Sequence, residues 1–262
     1  MFHIYHYTIR SRRLPSAFEG FRIAHLSDLH GAQYGADNQP LIQAVRRVRP
    51  DIVVMTGDMA DHTQGSIPRL LRLCRRLLAW YPVYFIVGNH EQVLPPKTLS
   101  KLISRLQALG VTVLENQHCT LVRVGGTLDI YGLVTPLVYY KDPLGEYVRG
   151  ITFTARDAEK LLGKGNPDQF RILLAHNPLY FPAYRDWGAD LTLSGHIHGG
   201  IIRIPRLGGL LSPDLSFFPK YDAGYFQEKG RHLVVSRGLG NHFLFRVGNP
   251  PELAVVDLSA RA

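Results

Sequence analysis

Five short apolar runs in this chain stop at residues that carry oxygen or imidazole donors. FRIAHLSDLH closes on Asp28 and His30, DIVVMTGD on Asp58 with Asp61 just beyond, and VYFIVGNH on Asn89 and His90. Later, FRILLAHN closes on His176 and Asn177, and DLTLSGHIHGG on His196 and His198. Runs of this length, rich in β-branched residues, read as buried strands. In open α/β sheets, sites form at the carboxyl ends of the strands. A chain folded this way delivers five sets of donors to one edge.

Helical spacing between the runs predicts amphipathic helices over about 38–49, 67–80 and 97–109, with Leu41, Val45 and Val48 on one face of the first. Asn38 followed by Pro40 suits a helix start. The second half reads as strands near 111–114, 119–124 and 128–133, helices over 155–162 and 179–187, and final strands near 225–227, 232–236 and 253–258. Strand–helix alternation in the first half implies parallel βαβ units, and the strand-rich second half implies antiparallel pairing. Without a Pro/Ser linker or a composition break, the reading is an α/β fold in one domain over 21–258. A strand and a basic turn over 1–20 precede it.

Composition excludes several classes. With 45% hydrophobic and 19% charged residues over 262 positions, the chain is globular rather than disordered. No run reaches the roughly 18 apolar residues of a membrane span. Two cysteines, Cys74 and Cys119, cannot build a disulfide framework or a Cys-rich zinc site. Cys74 falls on the apolar side of a helix and reads as core. The expected setting is cytoplasmic, with peripheral membrane contact open. A net charge of +9 favours anionic partners. The clusters Arg46, Arg47, Arg49 and Arg72, Arg75, Arg76 read as solvated helix faces. Arg10, Arg12 and Arg13 are the expected place for lipid or substrate contact. Specific nucleic-acid binding rests on charge alone and is not expected.

The spacing of the donors has a physical basis. In an extended chain residues i and i+2 point the same way, so Asp28 and His30 can face one space, as can His196 and His198. Adjacent glycines (Gly31, Gly57, Gly88, Gly195, Gly199 and Gly200) are expected to let the backbone turn tightly. Each piece alone is common: Asp-x-His arises by chance, and Gly-Asp is a frequent turn. His90-Glu91 is not a zincin motif, because position 94 is Leu. The ordered co-occurrence is what singles these residues out. His3, His6, His25, His62, His118, His232 and His242 lie in no such arrangement and read as structural.

The ordered set Asp28-Leu29-His30, Gly57-Asp58-Met59-Ala60-Asp61, Gly88-Asn89-His90-Glu91, His176 and Gly195-His196-Ile197-His198 resembles the five motifs of calcineurin-like metallophosphoesterases. The flanks HLSDLH, LTLSGHIHGG and VSRGLG resemble a bacterial phosphodiesterase branch that includes UDP-2,3-diacylglucosamine hydrolases. The resemblance implies a four-layer α/β/β/α sandwich with mixed sheets. It implies two divalent metal ions, with Asp28, His30 and His198 on the first, Asn89, His176 and His196 on the second, and Asp58 bridging. His90 is implied as an acid or electrostatic stabiliser beside the phosphate, and Asp61 as a group behind the ligands that orients one of them. Members of the branch often carry an N-terminal membrane segment, and this sequence starts just before the catalytic region. It also has Ile197 where threonine is commoner, which removes a hydroxyl but no donor.

These residue types suit phosphoester hydrolysis. Two metals about 3.5–4 Å apart clamp phosphoryl oxygens and generate hydroxide at neutral pH. Two carboxylates and one hydroxide leave such a centre positive. Imidazole and carboxylate donors suit manganese, iron or zinc. The expected substrate is a phosphodiester or diphosphate, with nucleotide- or lipid-linked esters such as a UDP-linked lipid as candidates. A phosphomonoesterase, including a protein phosphatase, is the competing enzyme reading, and a non-catalytic scaffold is the competing class. Arg237, in SRGLGNHF, is a candidate for phosphate contact or for holding loop carbonyls. Phe217, Phe218, Tyr221, Tyr225 and Phe226 are candidates for an apolar substrate wall or for core.

Overall fold

A computed structural model describes residues 1–61, 65–140, 151–200, 203–204, 208–209, 218–240 and 246–261. His62, His242 and Phe217, singled out above, lie outside the described residues. In chain order the strands of the first half are β1 (His3–Arg10), β2 (Arg22–Leu26), β3 (Ile52–Met55), β4 (Val83–Phe85) and β5 (Thr112–Val113). Those of the second half are β6 (Gln117–Arg123), β7 (Gly126–Leu133), β8 (Phe170–Ala175), β9 (Leu191–Ser194), β10 (Arg203–Ile204), β11 (Gly208–Gly209), β12 (Gly224–Glu228), β13 (Arg231–Val235) and β14 (Glu252–Ser259). The helices are α1 (Gln39–Val48), α2 (Ser66–Leu78), α3 (Asn89–Gln92), α4 (Pro96–Leu109), α5 (Ala155–Leu162) and α6 (Phe181–Trp187).

The long strands form two six-stranded sheets, ordered β1-β14-β2-β3-β4-β5 and β12-β13-β9-β8-β7-β6. Each has four parallel strands in a row, β2 to β5 in the first and β13, β9, β8 and β7 in the second. Each also has antiparallel pairing, at β14–β2 in the first and at β12–β13 and β6–β7 in the second. β1 pairs in parallel with β14 from His3↔Glu252 to Arg10↔Ser259, so the N-terminal segment forms an edge of the first sheet.

Period-two alternation sorts the apolar side chains into separate cores. Val53 and Met55 face α1, α2 and α4, together with Leu41, Leu70 and Leu102. Val54 points the other way and meets Ile130, Ile172 and Leu193 of the second sheet. Tyr131, Leu133 and Leu173 face α5 and α6. The result is the four-layer α/β/β/α sandwich that the resemblance implies. Cys74 is fully buried in the first helical layer.

Asn38 stands at the N-cap of α1 with Pro40 in the first turn, as expected, but its side chain makes no capping bond. The residue sits in the left-handed region at φ 58, and its Oδ1 accepts the Tyr34 amide at 2.8 Å. Of the basic N-terminal cluster, Arg13 is held by the second sheet, whereas Arg10 and Arg12 are exposed. Arg13 Nε donates to Asp190 Oδ1 at 2.7 Å, and its Nη2 donates to the Pro167 carbonyl at 2.6 Å. Pro182 does not interrupt its helix, because it falls in the first turn of α6, where a missing N–H costs nothing.

Candidate metal centre

The carboxyl ends of β2, β3, β4, β8 and β9 meet at one edge of the sandwich, so both sheets supply donors. Three groups of donor atoms gather there, each within 4.8 Å: Asp28, His30 and His198; His30, Asp58 and His90; and Asp58, His176 and His196. Asp58 belongs to two of them. His30 Nε2 and His198 Nε2 lie 3.1 Å apart, and His176 Nε2 is 3.0 Å from Asp58 Oδ2. Asn89, at the start of α3, is buried with its Oδ1 lacking a hydrogen-bond partner. His90 stands at the mouth, with 19% of its side chain exposed against 1% for His176. Its amide donates to Asp58 Oδ1 at 2.8 Å.

The backbone reaches this arrangement by a route that extended spacing does not foresee. Asp28, His30, Asp58, His196 and His198 all have positive φ, between 46° and 68°. Non-glycine residues seldom enter that region, and such outliers gather at functional sites. His196 and His198 accordingly fall in different donor groups instead of sharing one face. The glycines divide as well. Gly57 needs its φ of 92° for the turn. Gly88 has an ordinary φ of −91°, and Gly195 has no positive φ. They are glycine because a Cβ on Gly88 would overlap Asp58 Oδ1, and one on Gly195 would overlap Ser27 Oγ and Asp28 Oδ2.

Electrostatics bind the site together. Burial pushes the Asp28 carboxyl up to about 6, aided by the charge on Asp58 and opposed by His176. Burial acts on Asp58 in the same direction, but His176, His90 and His30 override it and hold that carboxyl well below the usual range. His176 is the counterpart. Burial disfavours its charge, yet Asp58 and Asp28 raise it to about 9. Its Nδ1 donates to the Thr56 carbonyl at 2.7 Å, which leaves Nε2 facing Asp58.

Sequence reasoning missed two residues here. Glu91 is fully buried, and its carboxylate accepts the amides of Asp58 at 2.8 Å, Ala60 at 2.8 Å and Gly88 at 2.9 Å. Its position three residues after Gly88 is capping-box spacing, which could have flagged it. Arg246 Nη2 lies 3.0 Å from His198 Nδ1, and its Nη1 donates to the Arg237 carbonyl at 2.6 Å. Its separation in sequence gave no signal.

The remaining candidates are placed as follows. Asp61 is buried just beyond β3, outside the three donor groups, and its amide donates to Ser66 Oγ at 2.9 Å. Arg237 stacks its guanidinium 4.3 Å over the Tyr5 ring, donates to Tyr5 Oη at 3.0 Å, and has Nε 3.4 Å from Glu252 Oε2. With Arg203, Lys220, Phe218 and Tyr225 it lines a cavity of about 560 Å³. Tyr221 packs in the core with Phe181, whereas Phe218 and Tyr225 are exposed at 58% and 41%. His25 is buried on Thr56 Oγ1 at 2.7 Å, and His232 Nδ1 is 2.8 Å from Tyr225 Oη. Neither these two nor His3, His6 and His118 join a donor group among the described residues.

A family model described as calcineurin-like phosphoesterase matches residues 21–200. The chain belongs to this family. It is similar to an uncharacterized metallophosphoesterase, YkuE, of Bacillus subtilis, at 32% identity over 97% of this chain and 84% of that one. It is also similar to the phosphodiesterase YaeI of Escherichia coli, at 24% identity over 91% of this chain and 82% of the relative. A third relative, the UDP-2,3-diacylglucosamine pyrophosphatase LpxG of Chlamydia muridarum, is 27% identical over 93% of this chain and 86% of its own length. Family membership makes this calcineurin-like phosphoesterase a phosphoester hydrolase that uses divalent metal. No helix among its described residues is long and apolar enough to cross a membrane.

Proposed function

We propose that this phosphoesterase hydrolyses a phosphodiester or diphosphate bond with two divalent ions, manganese, iron or zinc. The observation that carries the reading is Asp58, which shares one donor group with His176 and His196 and another with His30. In this reading Asp28, His30 and His198 hold one ion, Asn89, His176 and His196 hold the other, and Asp58 bridges them. The donor set fits such ions. The buried carboxylates Asp28 and Asp58 have imidazoles, not guanidiniums, within ion-pair distance among the described residues, and the buried Asn89 Oδ1 has no hydrogen-bond partner. When bound, the ions supply positive charge to the phosphoryl oxygens and acidify water.

The protein's own groups do the rest. Thr56 fixes the tautomer of His176, so its Nε2 stays directed at the centre. His90, at the mouth, supplies a proton or charge to the ester oxygen, and Asp61 orients a ligand from behind. Arg237 meets an outlying phosphate. Its Cγ lies 3.2 Å from where a Cβ on Gly199 would sit, so the aromatic cavity starts one residue from His198. A lipid- or nucleotide-linked diphosphate suits that cavity, and LpxG is named for such a substrate.

A manganese-supplemented assay of a diester, a monoester and a UDP-linked lipid tests this. The diester or the UDP-linked lipid is expected to turn over fastest, and a clear preference for the monoester would overturn the substrate class. Asp58→Asn is expected to drop turnover to background and release metal. Full activity in that variant would sink the two-metal reading. His90→Ala is expected to keep its metal content and lose about 10²–10⁴ in rate.

A further inference from the structure

The two helical layers differ in charge. α1, α2 and α4 carry nine Lys and Arg residues and no Asp or Glu, an excess equal to the net charge of the whole chain, +9. α5 and α6 are balanced: Arg156 and Lys160 offset Asp157 and Glu159, and Arg185 offsets Asp186. In the basic layer only Arg72 has an acidic partner among the described residues, Asp37 at 3.2 Å. Arg47, Arg75, Lys97, Lys101 and Arg105 are exposed and have no ion-pair partner there. Part of this is helix chemistry, since cations favour carboxyl-terminal turns. That explains Arg46, Arg47, Arg75 and Arg76 but not Lys97 and Lys101, nor the lack of any acid.

Two apolar features accompany the charge. Trp80, just past α2, is 57% exposed, with the Arg46 guanidinium 4.0 Å over its ring. On the other side of α1, Phe2, Ile4, Tyr34, Pro40, Ala44 and Arg47 line an apolar hollow of about 450 Å³. We propose that this layer is a docking surface for an anionic lipid bilayer. Lysine and arginine on such a surface are drawn to anionic headgroups, and tryptophan settles at the headgroup level. The hollow accepts hydrocarbon. A nucleic-acid duplex would match the charge but has no use for an apolar hollow or a lone exposed tryptophan on a helix-covered face. α1 packs beside α2, and α2 beside α4, so the charges spread over one broad face. The metal-facing edge stays uncovered at the side of that face.

The test uses the full chain with vesicles of phosphatidylcholine, with and without phosphatidylglycerol. Binding is expected only to the anionic vesicles, falling as salt rises. The fluorescence of Trp80 should shift to the blue on binding. The other tryptophan, Trp187, is 7% exposed and should not respond. Arg47→Gln/Arg75→Gln/Lys101→Gln is expected to weaken partition by about fivefold per charge, or roughly a hundredfold in all. Arg10→Gln/Arg12→Gln/Lys164→Gln, with the same charge removed elsewhere, should bind nearly as the parent does. Both variants should hydrolyse a soluble ester at the parent rate, which shows that they are folded. Four results would overturn the proposal: no binding to anionic vesicles at low salt, equal binding to neutral vesicles, equal loss in the two variants, or tighter binding to duplex DNA than to vesicles.

Discussion

Buried aspartates at opposite ends of the sandwich are neutralised by different means. At the amino ends of β8, β9 and β13, Asp190 is 2% exposed. It faces the guanidiniums of Arg13 and Arg231 and accepts the Arg171 amide at 2.9 Å. At the carboxyl ends, Asp28 is fully buried beside the imidazoles of His198 at 3.4 Å and His176 at 3.9 Å, of which only His176 is held protonated, since burial drives His198 well below the ordinary imidazole range. A guanidinium stays charged at any working pH, so Asp190 is permanently satisfied. An imidazole exchanges its proton near neutrality and can give it up to a metal. In the proposed reading, the kind of partner thus separates a structural carboxylate from a metal ligand.

The same substitution at the two ends should therefore act in opposite directions. Asp190→Asn leaves two guanidiniums without their counter-ion and is expected to lower stability by about 3 kcal/mol, read by urea unfolding. Metal content of the folded fraction should not change. If this variant were as stable as the parent and lost metal instead, the contrast would fail.

Metal binding should keep rising with pH beyond the range of a free imidazole. The ordinary imidazole range predicts loss of metal below about 6. Asp58 keeps a proton on His176 up to about 9, so a metal must displace it across that whole range. Affinity measured by titration is expected to rise roughly tenfold per pH unit toward that value. Stability without metal should run the other way. His176, Glu91 and Asp28 are all raised in the fold, to about 9, 7 and 6. Their contributions are complete below the unfolded values and vanish as pH rises through the folded ones. Metal-free protein should thus melt lower at pH 9 than at pH 6, whereas a flat profile would count against these couplings.

The smallest effect is also the most telling in sign. Asp28→Asn removes a buried charge that the metal-free fold disfavours. At pH 8 it is expected to raise stability by about 1 kcal/mol while abolishing metal binding. A loss of stability similar to that of Asp190→Asn would make the two ends equivalent.

Much of this was legible in the sequence because it follows local periodicity. The unbroken β-branched run in IVVM marked a buried strand, and the 3.6-residue spacing marked α1, α2 and α4. The donors could be read because each sits where an apolar run stops. What escaped depended on pairing between distant segments. Glu91 matters through amides that only the fold brings to it, and Arg246 reaches His198 across 48 positions. The glycines at 88 and 195 looked like turns because sequence does not show what stands opposite a missing side chain. Likewise, Arg13 read as free because its partner lies 177 residues away.

Glu91 has a mechanical consequence. One carboxylate grips the amides of Asp58, Ala60 and Gly88, so the ends of β3 and β4 move as a single piece. Asp58 cannot drift from Asn89 without breaking that grip. A metal arriving on such a piece would find the donors of the two strands already in place, so little of its binding energy would be spent on ordering them.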